Sequence, residues 1–161
     1  MHEQQRGFTL IETMIAVVVI GIVLSAGLPA FATYRTTMVK RQAREQLLQD
    51  LRGARQTAIT QHKQVIVAFG DGVGTTDITT YTIHHDTNND KVYQNSERRF
   101  QRTMPKDTRL AKVSLTPVDS LLFDTSGILR PGTSGGWMSM RTNTGFRDTV
   151  SVSIAGMVYR Q

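Results

Sequence analysis

From Phe8 to Phe31 the chain is apolar except for Thr9, Glu12, Thr13, Ser25 and a few glycines. Wound as a helix rising about 1.5 Å per residue, this run spans roughly 30 Å, the depth of one bilayer core. Beyond Pro29 the apolar positions thin to a stripe. Ala43, Leu47, Leu51, Ala54 and Ala58 recur three or four residues apart, widened by Leu48 and Ile59, so the helix is predicted to continue as an amphipathic one. His62-Lys63 ends that pattern, and period-two patterns replace it. The β-branched run Gln64–Phe69 and the threonine-rich Thr75–His84 predict a hairpin across the glycine-rich turn Gly70-Asp71-Gly72-Val73-Gly74. A short strand and turn are predicted over Val92–Phe100, and further strands at Thr108–Val113, Leu121–Leu129 (strand, turn, strand), Trp137–Met140 and Val150–Ile154. The residues Pro131–Gly136 read as a loop, and Asn143-Thr144-Gly145 as a turn. The expected class is α+β: a long N-terminal helix, with a transmembrane half at 8–31 and an amphipathic half at 32–61, packed on the antiparallel β-sheet of a β-rich head at 62–161.

Glu12 needs an explanation, because a carboxylate in a membrane helix costs on the order of 2.5–3.5 kcal/mol. A positive charge at the same depth would offset it. Cutting after Gly7 creates one, the free amine of Phe8, but that amine sits at the helix tip, where Glu12 of the same helix meets it poorly. A neighbouring copy shifted along its axis can supply the pairing.

The stretch Gly7-Phe8-Thr9-Leu10-Ile11-Glu12 resembles the class III signal of type IV pilins and type II secretion pseudopilins. Met1 to Gly7, with Arg6, matches the short basic leader, and Glu12 falls at the fifth mature position. The resemblance implies a prepilin peptidase that cleaves between Gly7 and Phe8 and N-methylates Phe8. It also implies that Glu12 neutralises the amine of an adjacent subunit during assembly. Pro29 stands where family members commonly carry a proline, which would break the backbone ladder and let the helix loosen. An ordinary secretory signal ending at Ala30-Phe31-Ala32 is the competing reading, but such a segment does not carry a glutamate near its start. Further along, Phe123-x-x-x-Gly127 before a hydrophobic strand is similar to the GspH/FimT family of minor pilins and pseudopilins. Together these implied features describe a pilin fold in a minor structural subunit. It would be a single-pass inner-membrane protein with a periplasmic head that enters a type IV pilus or type II secretion pseudopilus with other subunits, without cofactor or catalysis.

Charge adds a second question. The 161 residues carry a formal net charge of +6 and no cysteine. The amphipathic helix shows Arg35, Lys40, Arg41, Arg44, Arg52 and Arg55 on its polar side, read as a solvated face whose membrane end attracts lipid phosphates. Arg98, Arg99 and Arg102, continued by Lys106, Arg109 and Lys112, with Arg141 and Arg147 in a later loop, motivate an alternative: a DNA-binding minor pilin acting as a tip receptor. Phe100 and Phe146 would be its stacking residues. Some DNA-binding FimT-like pilins end in Gly-Arg-x-Arg; the matching positions here are Gly156, Met157, Val158 and Tyr159, with Arg160 one place late.

Other chemistry is thin. Asp86, Asn88 and Asp90 have the oxygen spacing of a calcium loop, but Lys91 stands where the loop needs glycine, and a polar turn is the preferred reading. His84 and His85 are neighbours that would face opposite ways on a strand. Ser126 lacks the glycine two places earlier that a nucleophile elbow needs, and no carboxylate pair demands acid–base work.

Overall fold

The computed structural model describes residues 9–70, 76–88, 90, 94, 96–116, 120–130, 134–143, 145 and 147–160, without the side chains of 26–30, 116 and 134. The leader, the Gly7–Phe8 bond, residues 71–74 of the predicted turn, Thr75 of the strand expected after it, and Phe146 lie outside the described residues. The chain divides into two compact units, Met1–Met38 and Val39–Gln161.

One helix, α1 (Leu10–Gln61), contributes to both. It runs uninterrupted through Pro29, the residue expected to weaken the backbone ladder and let the helix loosen on assembly. A proline removes a single ladder bond, and the bonds on either side hold the element together. In the first unit its large apolar side chains from Leu10 to Leu24 are exposed. Among the described residues no helix is long and apolar enough to cross a membrane; the described side chains of the apolar run stop at Ser25, short of the roughly 20 residues a span requires. In the second unit the stripe Ala43, Leu47, Leu48, Leu51, Ala54 and Ala58 is buried, as its spacing predicts. The helix stops at His62, whose φ of 51° is the left-handed geometry of a helix C-terminus.

Among the described residues eight strands follow: β1 (Gln64–Phe69), β2 (Thr80–Asp86), β3 (Arg99–Thr103), β4 (Thr108–Thr116), β5 (Ser120–Phe123), β6 (Ser134–Thr142), β7 (Arg147–Val152) and β8 (Val158–Arg160). They form two four-stranded sheets, β3-β2-β1-β5 and β4-β6-β7-β8, with every pairing antiparallel. Alternation puts Val65, Val67 and Phe69 of β1 inward, and likewise Met138 and Met140 of β6. These and the helix stripe make one hydrophobic cluster.

Three boundaries differ from the sequence reading. β2 starts later and runs on through His85 to Asp86, because Tyr81–Asp86 pairs with Gln64–Phe69 on one side and Thr80–His84 with Arg99–Thr103 on the other. Of the short strand and turn expected over Val92–Phe100, Gln94 and Ser96–Arg98 are not strand, Glu97 is buried in a turn and β3 begins only at Arg99, while Val92, Tyr93 and Asn95 lie outside the described residues. Ser134–Gly136, expected in a loop, opens β6. A Cβ at Gly136 would lie 2.0 Å from the Ser114 carbonyl oxygen, so glycine here permits close strand pairing, not a turn.

Candidate functional site

At the start of α1, Thr9 and Glu12 form a capping box. The Glu12 carboxylate accepts from the Thr9 amide at 2.8 Å and the Thr9 hydroxyl at 2.9 Å, while the Glu12 amide donates to Thr9 Oγ1 at 3.4 Å. Glu12 therefore has a partner inside its own helix that the sequence reading overlooks. The signal was present, since Thr-x-x-Glu before an apolar run is the capping-box pattern.

The helix cations are less solvated than expected. Arg44 Nη1 donates to the buried Asp148 at 3.2 Å, Arg52 to the Val158 carbonyl at 3.3 Å, and Arg55 Nε to the Gly127 carbonyl at 2.9 Å. These arginines fasten the helix to β7, β8 and the turn after β5. That turn is crowded. Gly127 has φ 74° with Ile59 packed against it, and a Cβ on Gly156, at φ 72°, would stand 2.1 Å from the Gly127 carbonyl oxygen. The glycines of the Phe123-x-x-x-Gly127 motif and of the C-terminal Gly156 thus form one contact beneath the helix.

The remaining cations separate into two groups. Arg98, Arg99 and Arg102 are exposed at and just before the edge strand β3. Arg102 also reaches Asp50 of α1 at 3.5 Å, and Asp50 accepts from the Tyr81 hydroxyl at 2.5 Å. Burial first, then this bond, raises the Tyr81 pKa well above its usual value. Phe100 is exposed on the same strand with its ring 5.4 Å from that of His85. Arg109 and Lys112 belong to the other sheet, and Arg147, expected in a loop, begins β7.

In that sheet Arg109 pairs in register with Arg141, and Arg141 with Arg147. The three arginines line a cleft of about 330 Å³ with Thr142, Asn143 and Gly145. Asp77 meets Arg141 at 2.7 Å, and Asn143, itself bonded to Asp107 at 3.1 Å, accepts from Arg109. The sequence grouped Arg109 with the β3 arginines. A turn centred on residue 144 would have set Arg141 opposite Arg147, but the partner of β6 on its other side depends on a long-range pairing.

The polar turn after β2 has its own organiser. The buried Glu97 carboxylate lies 2.7 Å from His84 Nε2 and accepts from the Thr87 amide at 2.7 Å and the Gln94 amide at 3.0 Å. The His84 bond, helped by the two amides, outweighs burial and lowers the Glu97 carboxyl to about 2. Asp86, Asn88 and Asp90 do not converge as a calcium loop. Asp86 is buried at the end of β2, whereas the exposed Asn88 and Asp90 bond each other at 2.9 Å. Among the described residues no group of three or more His, Asp or Glu could hold a metal ion.

Residues 4–28 match the prokaryotic N-terminal methylation motif, and residues 43–156 match the family described as type II transport protein GspH. No curated protein matches the chain in sequence. Among solved structures, the chain is similar to the type IV minor pilin FimU of Pseudomonas aeruginosa, with TM-score 0.54 and 17% identity over 75% of this chain and 87% of that one. It is also similar to the minor pseudopilin EpsH from the type 2 secretion system of Vibrio cholerae, with TM-score 0.51 and 15% identity over 76% of this chain and 95% of that one. Both likenesses support the α+β pilin fold.

Proposed function

The chain belongs to the type II transport protein GspH family, the minor pilins and pseudopilins, and from that membership we propose that it is a structural subunit assembled through its N-terminal helix into a type IV pilus or type II secretion pseudopilus. The observation that carries this reading is the methylation motif over residues 4–28, which includes Gly7, Phe8 and Glu12. A prepilin peptidase removes Met1–Gly7 and methylates Phe8. Residues 8–31 anchor the chain in the inner membrane with the head in the periplasm until the helix leaves the bilayer for the filament. Pro29, with no amide proton to hold the ladder, is where α1 gives way in that transfer. No catalytic role is proposed.

The capping box refines the part played by Glu12. Before assembly the carboxylate closes its own helix end, and on assembly it turns to the amine of the neighbouring Phe8. Two variants separate these roles, because glutamine keeps a capping box and loses the charge. Glu12→Ala and Glu12→Gln are both expected to be cleaved, and both to fail in filament incorporation. Normal incorporation of Glu12→Gln would leave only the cap and overturn the pairing. Intact-mass analysis of membrane-purified protein should show a methylated N-terminus at Phe8; a mature N-terminus at Thr33 would instead mean an ordinary secretory signal.

The alternative, a nucleic-acid receptor, rests on the exposed Arg98, Arg99 and Arg102 beside Phe100. Salt-dependent retardation of duplex DNA, relieved when the three become alanine, would favour it.

A further inference from the structure

The row Arg109, Arg141 and Arg147 runs against the economy of a β-sheet. Like charges directly opposite one another destabilise a strand pair, and here two such pairs share one line across three strands. Internal compensation is partial. Arg141 meets the Asp77 carboxylate, Arg109 meets the neutral Asn143 side chain, and Arg147 has no ion pair among the described residues. The cleft between them, at about 330 Å³, has ample room for a phosphate group. An arrangement that spends stability to gather guanidinium groups suits an external anion, since Arg matches phosphate oxygens bidentately.

Position in the head selects the anion. The row lies at the end of the sheet where β6 turns into β7, and that end is beside the first helical residues of the second unit. Lys40 and Ala43 line a small cavity with Thr108, Met140, Arg141 and Thr142, and Arg44 bonds Asp148, the neighbour of Arg147. Along the chain Lys40 follows Phe31, the end of the apolar run, by only nine residues. Even fully extended, that connection reaches no further than about 30 Å. A basic surface tethered so close to a bilayer meets lipid phosphates at high effective concentration.

We propose that the row Arg109–Arg141–Arg147, with Lys40 beside it, docks the head on the anionic phospholipids of the membrane that anchors it. The subunit is thereby held against the bilayer until assembly draws it away. The proposal rests on the reading of 8–31 as a membrane anchor. Each cation brought to an anionic surface raises the docked population roughly fivefold, so the row acts collectively and is screened by salt.

Trp137 is the only tryptophan and stands on β6 in the same sheet, about 14 Å from Arg141 along the strand. In full-length protein reconstituted into vesicles with a dansyl headgroup acceptor, energy transfer from Trp137 reports the approach of the head. Flotation with phosphatidylcholine vesicles tests the anchor alone; if the chain does not float, the anchoring premise and the proposal fall together. With the anchor in place, mixing in phosphatidylglycerol is expected to increase transfer several-fold at low salt, and high salt should abolish the gain. Arg147→Glu, on an exposed side chain, should remove most of the gain, as should Arg109→Ala/Arg141→Ala/Arg147→Ala, whereas Arg98→Ala/Arg99→Ala/Arg102→Ala should keep it. Equal transfer on neutral and anionic vesicles overturns the proposal, and so does a gain that survives both row variants. Displacement of the head by a single-stranded or duplex oligonucleotide at concentrations equal to the protein would reassign the row to nucleic acid.

Discussion

The two halves of α1 are made of similar residues and meet opposite conditions. In the first unit Val17 is 68% exposed and its apolar neighbours share that exposure, whereas in the second Leu47, Leu51 and Ala58 are 0% exposed. Burying a leucine side chain is worth about 1.5–3 kcal/mol, so the second half already contributes its apolar surface to the fold. The first half holds the same kind of surface unspent. A continuous exposed apolar face of this length marks an interaction site, to be covered by lipid or by other subunits. Under the proposed function, stability and assembly would thus fall to separate segments of one element.

The sharpest way to break that comparison is to truncate one leucine or valine in each half. Leu51→Ala should destabilise the head by about 3 kcal/mol, from lost burial plus the cavity left behind. Val18→Ala, on an exposed side chain, should leave the denaturation midpoint of the head unchanged and act only on membrane partition or filament incorporation. Chemical denaturation of both variants in detergent, followed through Trp137, decides the matter. A loss of head stability in Val18→Ala comparable to that of Leu51→Ala would show that the two segments share one cooperative fold.

A somewhat smaller effect is expected at the glycine contact beneath the helix. Gly156→Ala combines a left-handed φ, which costs a residue with a Cβ about 1–2 kcal/mol, with a clash against the Gly127 carbonyl, a backbone atom that cannot swing aside. Destabilisation should reach at least about 2 kcal/mol. Gly145→Ala is the control: it shares the positive φ but nothing lies within 4 Å of its Cβ, so it should pay the conformational cost alone. Equal losses in the two variants would mean that the contact with Gly127 adds nothing.

Legibility in the sequence follows the same division. The helix stripe, its end at His62 and β1 could all be read because each depends on spacing within a short window. The α+β class followed from the order of those patterns. What escaped depends on pairing across distance. Arg109 joins Arg141 only because β4 lies beside β6, strands separated by β5 in the chain. Gly135 and Gly136 look like loop residues until the neighbouring backbones of β7 and β4 are in place. Arg44 reads as a surface charge until β7 brings the buried Asp148 to it. Glu97 hid most completely, because it lies in a run of arginines and its function is to satisfy amides that only the folded turn assembles.

Glu97 also provides the most local test, confined to the turn after β2 and therefore the smallest in its effect on the whole. Its carboxyl titrates at about 2 in the folded protein against an ordinary 4.5, held down chiefly by the His84 bond. A carboxylate with a depressed folded pKa contributes stability that is complete above the unfolded value and is lost as pH falls through the folded one. The turn should therefore hold at neutral pH, weaken below about 4.5 and have lost this contribution near 2. Glu97→Gln keeps the shape and gives up the charge, so its turn should be looser at neutral pH and should change less across that window. Hydrogen exchange at the amides of Thr87 and Gln94, the two donors to Glu97, measures this directly. In the native protein their protection should fall with acid faster than that of Val67 in the centre of β1, and in the variant the difference should vanish. Protection at Thr87 and Gln94 that tracks Val67 through the acid range in both proteins would show that the carboxylate does not organise the turn.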